Sequence, residues 1–249
     1  MSLNLLLLSS SRVANTEYLE HALPHISKFL SEINLPKTTQ SNNKLIFIPY
    51  AGVSVGFDQY EKIVQDVFSK IGLDIESIHN IDDKKAAIKS SAGIVTGGGN
   101  TFSLLNSLYE QDIIKTLQKS INDGLPYIGW SAGSNIVAPT IRTTNDMPII
   151  EPPSFNALNL IPWQINPHYI EGNPPGHNGE TRQQRIEEFL VVNPHKKIIG
   201  IPEGTALKIM NNSTHYLDNS LTESDGVIFS KDCKTFFTSS SNLKQLLND

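Results

Sequence analysis

The pentapeptide Gly129-Trp130-Ser131-Ala132-Gly133 has the residue types of a nucleophilic serine and its surroundings. It matches G-x-S-x-G, the tight turn between a strand and a helix that lifts a serine hydroxyl out of a sheet. The glycines are needed because backbone passes close to the strained serine, where a Cβ atom would clash. An apolar run at 125–128 precedes the motif and a helix start at 134–137 follows it, as this turn requires. A purely structural glycine-rich turn would have the same pattern. Assigning Ser131 as a nucleophile therefore requires partner residues that could activate it.

A serine becomes a nucleophile only when a base takes its proton and a third group orients that base. Of the seven histidines, His168 is the best candidate, because apolar residues and the stiff Pro167 deliver it to a fixed position. His177, in a glycine-containing loop, is the alternative. Asp146 lies in a polar segment between apolar runs. The order Ser131, Asp146, His168 is the one known for hydrolases with this turn, so we predict these three as nucleophile, orienting acid and base.

Acyl transfer also needs N–H groups where the oxyanion develops. The amide of Ala132 is one natural donor, since it follows the nucleophile. The run Gly97-Gly98-Gly99-Asn100 is the other, because glycines after a strand let backbone amides face a ligand. A phosphate-binding loop is the alternative for this run, but neither G-x-x-x-x-G-K-[ST] nor G-x-G-x-x-G is present. The sequence therefore predicts no cofactor, and its single cysteine removes the cysteine-rich metal sites.

Apolar runs that alternate with helical periodicity predict the elements that position these residues. The pattern is typical of an α/β fold with a mostly parallel sheet flanked by helices. Short strand-like pieces separated by turns from residue 208 onward predict antiparallel strands at one edge. We expect a single domain over residues 1–249. Strands are predicted at 3–8, 45–49, 74–79, 93–96, 125–128 and 198–201, and helices at 17–33, 58–71, 82–89, 104–123 and 182–192.

Composition excludes several classes of function. The 249 residues carry a net charge of −5, which argues against a nucleic-acid partner. No apolar run is long enough to span a bilayer. The Leu-rich opening lacks a basic n-region, so it is interpreted as a buried strand and not as a signal peptide. With one cysteine the chain is expected to be a cytoplasmic protein without a membrane partner, either a monomer or a homodimer.

Several longer stretches together resemble one family, the aspartyl dipeptidases known as peptidase E. The resemblance implies an α/β fold related to class I glutamine amidotransferases, with serine in place of their cysteine. It also implies hydrolysis of small peptides that begin with aspartate. The stretches that carry it run along nearly the whole chain: Glu20-His21-Ala22-Leu23-Pro24, Phe47-Ile48-Pro49-Tyr50-Ala51-Gly52-Val53, Gly97-Gly98-Gly99-Asn100-Thr101-Phe102, the serine pentapeptide, Pro139 to Ile149, Gln164 to His168, Gly176 to Arg182, and Pro202-Glu203-Gly204.

The resemblance also implies roles for individual residues. Its catalytic residues fall on Ser131, Asp146 and His168, its oxyanion donors on Gly99 and Ala132, and its substrate-carboxylate arginine on Arg182, with Asn100 and Thr101 near the site. Arginine suits this role because its planar fork pairs a carboxylate bidentately, although Arg182 also fits the first turn of a solvated helix. Glu203 is a candidate for binding the substrate amine, or else it anchors a turn.

Two other functions remain open at this level. One is a related serine peptidase for other aspartyl substrates, such as cyanophycin-like or isoaspartyl compounds. The other is a catalytically silent binding protein on an amidotransferase-like fold, because a fold alone does not determine a function.

Overall fold

Five parallel strands form most of a seven-stranded sheet in the computed structural model, which describes residues 3–35, 44–173, 176, 178–218, 221 and 224–248. The strand order is β3-β2-β4-β5-β1-β8-β9, and the last two strands are antiparallel to their neighbours. The strands of this sheet are β1 (Leu5–Leu8), β2 (Leu45–Ile48), β3 (Ile75–Ser77), β4 (Gly93–Thr96), β5 (Tyr127–Trp130), β8 (Ala206–Met210) and β9 (Ser213–Leu217).

A second sheet has four strands in the order β11-β10-β7-β6. Strands β6 and β7 are parallel, whereas β10 and β11 are antiparallel to their neighbours. The strands are β6 (Gln164–Pro167), β7 (Ile198–Ile201), β10 (Gly226–Ser230) and β11 (Cys233–Phe237). The two sheets confirm the predicted α/β class and the antiparallel strands near the C-terminus.

Eight α-helices lie in the described part of the chain. The predicted helix over 182–192 is confirmed, and a capping box of Thr181 and Gln184 starts it. The single helix predicted over 104–123 is wrong: Asp112 adopts a positive φ of 51° and separates two helices. The helices are α1 (Leu23–Glu32), α2 (Phe57–Phe68), α3 (Lys84–Ser90), α4 (Thr101–Glu110), α5 (Ile114–Asn122), α6 (Ala132–Asn135), α7 (Arg182–Val192) and α8 (Leu243–Asn248).

The leucines of β1 divide between the two faces of the first sheet. Leu5 and Leu7 belong to one buried hydrophobic cluster, and Leu6 and Leu8 to another. This alternation explains why the strand is apolar at every position, since both faces are covered. The first cluster also contains residues of the second sheet, including Ile199 of β7. The two sheets therefore share one hydrophobic core, and the single domain over residues 1–249 stays a prediction.

The parallel strands bring the loops that follow them to one edge of each sheet. Residue 97 follows β4, and Ser131 follows β5, the neighbouring strand of β4. In the second sheet, His168 follows β6 and residue 202 follows the adjacent β7. Ligand sites of open α/β sheets lie at such carboxyl ends. None of the described helices combines the length and apolar character needed to cross a membrane.

Candidate active site

Ser131 occupies a strained turn between β5 and α6, with φ 53° and ψ −112°. Both glycines of the pentapeptide are required at this turn. A Cβ atom on Gly129 would lie 2.5 Å from the carbonyl oxygen of Gly133, and one on Gly133 would lie 2.3 Å from the carbonyl oxygen of Thr96. These distances are far below van der Waals contact, so no side chain fits at either position and only glycine is tolerated. The turn is therefore the nucleophile elbow that the sequence motif predicts.

Hydrogen bonds to the end of β1 hold the elbow in place. The Ser131 N–H donates to the carbonyl of Leu8 over 3.1 Å. The buried hydroxyl of Ser134 lies 2.7 Å from the same carbonyl and 2.9 Å from that of Gly129. These contacts offset the cost of a non-glycine residue at positive φ, which is roughly 1–3 kcal/mol.

His168 lies directly after β6, and its Nε2 is 2.9 Å from the Ser131 hydroxyl oxygen. Its backbone also has a positive φ, of 56°. The N–H of His168 donates to the Ser9 hydroxyl over 2.8 Å, and that hydroxyl donates to the carbonyl of Ile201 over 2.8 Å. The histidine is thus tied both to β1 and to β7, and the predicted pair of Ser131 and His168 is in hydrogen-bond contact.

The carboxylate that contacts the histidine is Glu203, whose Oε1 lies 2.8 Å from His168 Nδ1. Glu203 comes shortly after β7, the parallel neighbour of β6, where Pro167 pairs with Ile201. A carboxylate only accepts hydrogen bonds, so Nδ1 carries the proton. The lone pair of Nε2 then faces Ser131, which is the tautomer that a general base needs.

Asp146 does not contact His168, and its expected place in the triad is corrected. Its Oδ2 lies 2.8 Å from the Thr101 amide nitrogen, 2.5 Å from the Thr101 hydroxyl and 3.0 Å from the Thr144 hydroxyl. Thr101 begins α4. The N-terminus of a helix offers unpaired amides and a positive dipole, which attract a carboxylate. Glu203, the candidate for the substrate amine, lies instead in hydrogen-bond contact with the imidazole of His168.

Asn100 and Thr101 have structural contacts beside the cleft. The Asn100 side chain caps α4 by accepting from the Ser103 amide over 3.0 Å, and its amide nitrogen donates to the carbonyl of Met147 over 2.9 Å. Together with the bonds between Thr101 and Asp146, these contacts fix the loop around residue 146 to the start of α4. Both residues were expected near the site; Asn100 lines the cleft, and Thr101 is buried beneath it.

The glycine run after β4 lies against Ser131. A Cβ atom on Gly98 would be 3.1 Å from the Cβ atom of Ser131. Gly99 has φ +136°, and a side chain there would meet the Ala51 carbonyl at 2.1 Å, so no other residue fits. Gly98, Gly99, Ser131 and His168 all line one open cleft of about 930 Å³. The glycine loop therefore lies beside Ser131 and His168 in the same cleft.

Arg182 begins α7, and its side chain is half-buried with an uncommitted donor. Its Nε is buried and has no hydrogen-bond partner among the described residues. Burial and then the charge of Arg185 lower the pKa of Arg182 from its ordinary value, whereas the carboxylates of Asp146 and Glu203 oppose this shift. Arginine stays charged in proteins in any case. His177, the alternative base, lies outside the described residues.

Potential metal ligands come together at a different place. Asp58, Glu61 and His79 are a group whose ligand atoms lie within 4.8 Å of one another in the described part of the chain. His79 Nε2 is 2.8 Å from Asp58, and its Nδ1 is 2.6 Å from the Ser77 hydroxyl. Glu61 accepts from the Ser77 amide over 2.7 Å. Hydrogen bonds among these residues account for the group without a metal ion.

The site and the fold define a hydrolase class, an α/β protein with a serine nucleophile elbow and a histidine bound to it. Comparison with known proteins gives the family. The family model of peptidase family S51 matches residues 5–217. Peptidase E of Shewanella denitrificans is 52% identical over 219 residues, which cover 88% of this chain and 89% of the relative. Peptidase E of Haemophilus influenzae is 49% identical over 208 residues, covering 84% and 92%.

Solved structures show the same fold. A peptidase from an acI-B1 Actinobacterium superposes with a TM-score of 0.68 at 14% identity, over 97% of this chain and 96% of its own. The chain belongs to peptidase family S51, and it is a serine-type dipeptidase. This confirms the resemblance found in the sequence.

Proposed function

We propose that the protein hydrolyses dipeptides with an N-terminal aspartate, and that Ser131, His168 and Glu203 form its catalytic triad. The observation that carries the proposal is the continuous pair of contacts, 2.9 Å from Ser131 to His168 and 2.8 Å from His168 to Glu203. The choice of Glu203 replaces Asp146 in the triad predicted from the sequence.

The reaction follows from these positions. Ser131 Oγ attacks the carbonyl carbon of the aspartyl residue, and its proton passes to His168 Nε2. The carbonyl oxygen becomes an oxyanion, which the N–H groups of Gly99 and Ala132 stabilise. The C–N bond then breaks as His168 gives its proton to the leaving amine, which leaves an acyl ester on Ser131. Water attacks this ester with the same proton transfers, and aspartate and free Ser131 result. Glu203 stabilises the imidazolium at both stages.

Arg182 is proposed to read the aspartate side chain. A buried guanidinium nitrogen that has no partner in the described part of the chain has a desolvation cost that a substrate carboxylate would remove. The carboxylates of Asp146 and Glu203 act electrostatically on the same guanidinium and oppose the lowering of its pKa, which supports a role of Arg182 in this site. Selection of aspartate then comes from a charge pair close to the scissile carbonyl. The resemblance to aspartyl dipeptidases supports this substrate class.

The location and the assembly stay predictions. A monomer or homodimer in the cytoplasm is compatible with the single cysteine, Cys233, which is free and exposed.

The test is a panel of dipeptides against matched variants. Wild-type protein is expected to hydrolyse Asp-Leu and to leave Glu-Leu and β-aspartyl-leucine nearly untouched. Ser131→Ala is expected to abolish turnover and labelling by a fluorophosphonate, while the circular dichroism spectrum is unchanged. Arg182→Ala should raise the KM for Asp-Leu by about 100-fold, the range of a lost charged hydrogen bond. Arg185→Ala is the control, because Arg185 lies one turn further along α7, is exposed and pairs only with Glu180 among the described residues.

Each result separates the candidate functions. Faster turnover of β-aspartyl-leucine than of Asp-Leu would favour an isoaspartyl peptidase. Absence of turnover and of labelling in the wild-type protein would favour a catalytically silent binding protein. Equal effects of the two arginine variants would remove Arg182 from the proposed substrate site.

A further inference from the structure

A chain of partly buried hydrogen bonds connects Trp130, the residue before Ser131, to the glycine loop. The indole Nε1 of Trp130 lies 2.9 Å from the Tyr18 hydroxyl. That hydroxyl lies 3.0 Å from the hydroxyl of Tyr60, which in turn is 2.9 Å from the carbonyl oxygen of Gly98. Trp130 immediately precedes Ser131 in the chain. The hydrogen bonds therefore link the two backbone segments that have to face a reacting carbonyl.

The two ends of this chain determine its direction. An indole nitrogen can only donate and a carbonyl oxygen can only accept. Trp130 therefore donates to Tyr18, Tyr18 donates to Tyr60, and Tyr60 donates to Gly98. Each hydroxyl accepts one bond and donates the next, an arrangement in which neighbouring bonds strengthen each other. Burial raises the pKa of Tyr60 to about 12, so this phenol keeps its proton at neutral pH.

The bond from Tyr60 sets the orientation of one peptide group. The carbonyl of Gly98 and the N–H of Gly99 belong to the same planar peptide unit, and they point in opposite directions when it is trans. No cis peptide bond occurs in the described residues. Because Tyr60 holds the carbonyl, the N–H of Gly99 points away from Tyr60. We propose that Tyr60 is a positioning residue that aims the Gly99 N–H at the substrate oxyanion, with Tyr18 and Trp130 holding Tyr60. This inference rests on the oxyanion role given to Gly99 under the proposed function.

Packing around the glycine loop agrees with this role. A Cβ atom on Gly97 would lie 2.4 Å from the Tyr60 hydroxyl oxygen, so the loop lies directly on the phenol. The Tyr60 ring packs edge-on against Phe47, with ring centroids 5.0 Å apart. A Cβ atom on Gly98 would lie 2.9 Å from Cδ1 of Trp130. Loop, phenol and indole are in mutual contact, and little room remains for the peptide to turn while the hydrogen bond is present.

The test compares Tyr60→Phe with Tyr18→Phe. Both remove a single buried oxygen and keep the aromatic packing, but only Tyr60→Phe removes the bond to Gly98. Tyr60→Phe is expected to lower kcat for Asp-Leu by roughly 3- to 10-fold with little change in KM, which is the effect of one neutral hydrogen bond. The loss stays below the roughly 10²–10³-fold effect of a missing oxyanion donor, because the N–H is misdirected and not absent. Tyr18→Phe should lower kcat by a smaller factor than Tyr60→Phe, because it weakens the support of Tyr60 but keeps the bond from Tyr60 to Gly98.

A second measurement separates positioning from general loosening. The aldehyde analogue of aspartate forms a hemiacetal when Ser131 Oγ bonds to its carbonyl carbon, so its oxygen occupies the oxyanion position. Its inhibition constant should rise in Tyr60→Phe by the same factor as kcat falls, while inhibition by free aspartate stays unchanged. An unchanged kcat, a change in KM alone, or an unchanged aldehyde inhibition constant each overturns the inference. Ser131→Ala distinguishes a failure of this inference from a failure of the proposed function. If turnover survives in Ser131→Ala, the proposed function is wrong. If turnover is lost in Ser131→Ala but Tyr60→Phe has the kcat of the wild type, only the role of Tyr60 is wrong.

Discussion

Replacing each of two carboxylates by its amide decides which of them serves His168. Glu203→Gln keeps the shape of the side chain but removes its charge. The amide group can also turn its NH₂ toward Nδ1, which would place the proton on Nε2, where it blocks acceptance of the Ser131 proton. Asp146→Asn makes the same chemical change on the carboxylate that binds Thr101.

The expected magnitude follows from the exposure of Glu203. Loss of charge in a buried triad carboxylate costs about 10⁴ in kcat. The side chain of Glu203 is 53% exposed, and surrounding water screens such a charge. We therefore expect Glu203→Gln to lower kcat by about 10²–10³, with the smaller part of the effect in KM, because His168 is charged only after Ser131 attacks.

Asp146→Asn is expected to act on stability instead. One oxygen of Asp146 accepts three hydrogen bonds from Thr101 and Thr144. Loss of the charge at the start of α4 should lower the free energy of unfolding by about 1–3 kcal/mol. The kcat for Asp-Leu should remain within about tenfold of wild type, since no contact joins Asp146 to His168.

Three assays on both variants are sufficient. Initial rates with Asp-Leu give kcat and KM, and urea denaturation gives the free energy of unfolding. The rate of fluorophosphonate labelling reports the reactivity of Ser131 separately from leaving-group release, and it should fall only in Glu203→Gln. A greater loss of kcat in Asp146→Asn than in Glu203→Gln would refute the reasoning, because it would make the bonded Glu203 irrelevant to the base.

Two further predictions concern the scaffold. Gly133→Ala should lower the free energy of unfolding by about 1–3 kcal/mol and abolish hydrolysis, because the added Cβ atom would lie 2.3 Å from the Thr96 carbonyl oxygen. Gly56→Ala is the control, because the space around that position is open. Similar melting curves for the two variants would contradict the prediction. Lys234→Met should lower Tm by about 2 °C at pH 7, since the hydrogen bond from Lys234 holds the pKa of Glu171 below its ordinary value of 4.5. A lowered carboxyl pKa stabilises the fold above 4.5 and this stability is lost as pH falls through the lowered value, so the Tm difference should shrink toward pH 3; a constant difference would contradict it.

The sequence was sufficient to find Ser131 and His168 because both depend on local signals. The elbow needs its glycines at fixed positions, and Pro167 stiffens the approach to the histidine. The third member depends on a non-local pairing. Glu203 reaches His168 because β6 and β7 lie side by side, yet residues 164–167 form too short a run to predict as a strand. The order along the chain predicts Asp146, but order does not specify the path of a loop.

Helix boundaries show the same limit. Periodicity over 104–123 is continuous in the sequence, so one helix is the natural expectation. The chain instead turns at Asp112, whose φ is 51°, and the carboxylate there pairs with Lys85. Aspartate tolerates this backbone conformation better than most residues. The turn lets α5 run in a different direction from α4. The contact of Asp112 with Lys85 of α3 is tertiary, so the local sequence does not show whether Asp112 ends a helix or lies on its solvated face.

Contacts with the end of β1 explain why two strained residues, Ser131 and His168, keep their relative position. Ser131 and His168 both have positive φ values, and each such residue costs roughly 1–3 kcal/mol. They follow strands of two different sheets, so nothing in either sheet alone fixes the distance between them. Leu8 accepts the N–H of Ser131, and the hydroxyl of the next residue, Ser9, accepts the N–H of His168. Leu8, the last residue of β1, and Ser9, which follows it, thus hold Ser131 and His168 in place. Because the same Ser9 hydroxyl donates to Ile201, close to Glu203 in the chain, the three residues of the proposed triad are all anchored near the carboxyl end of the first strand.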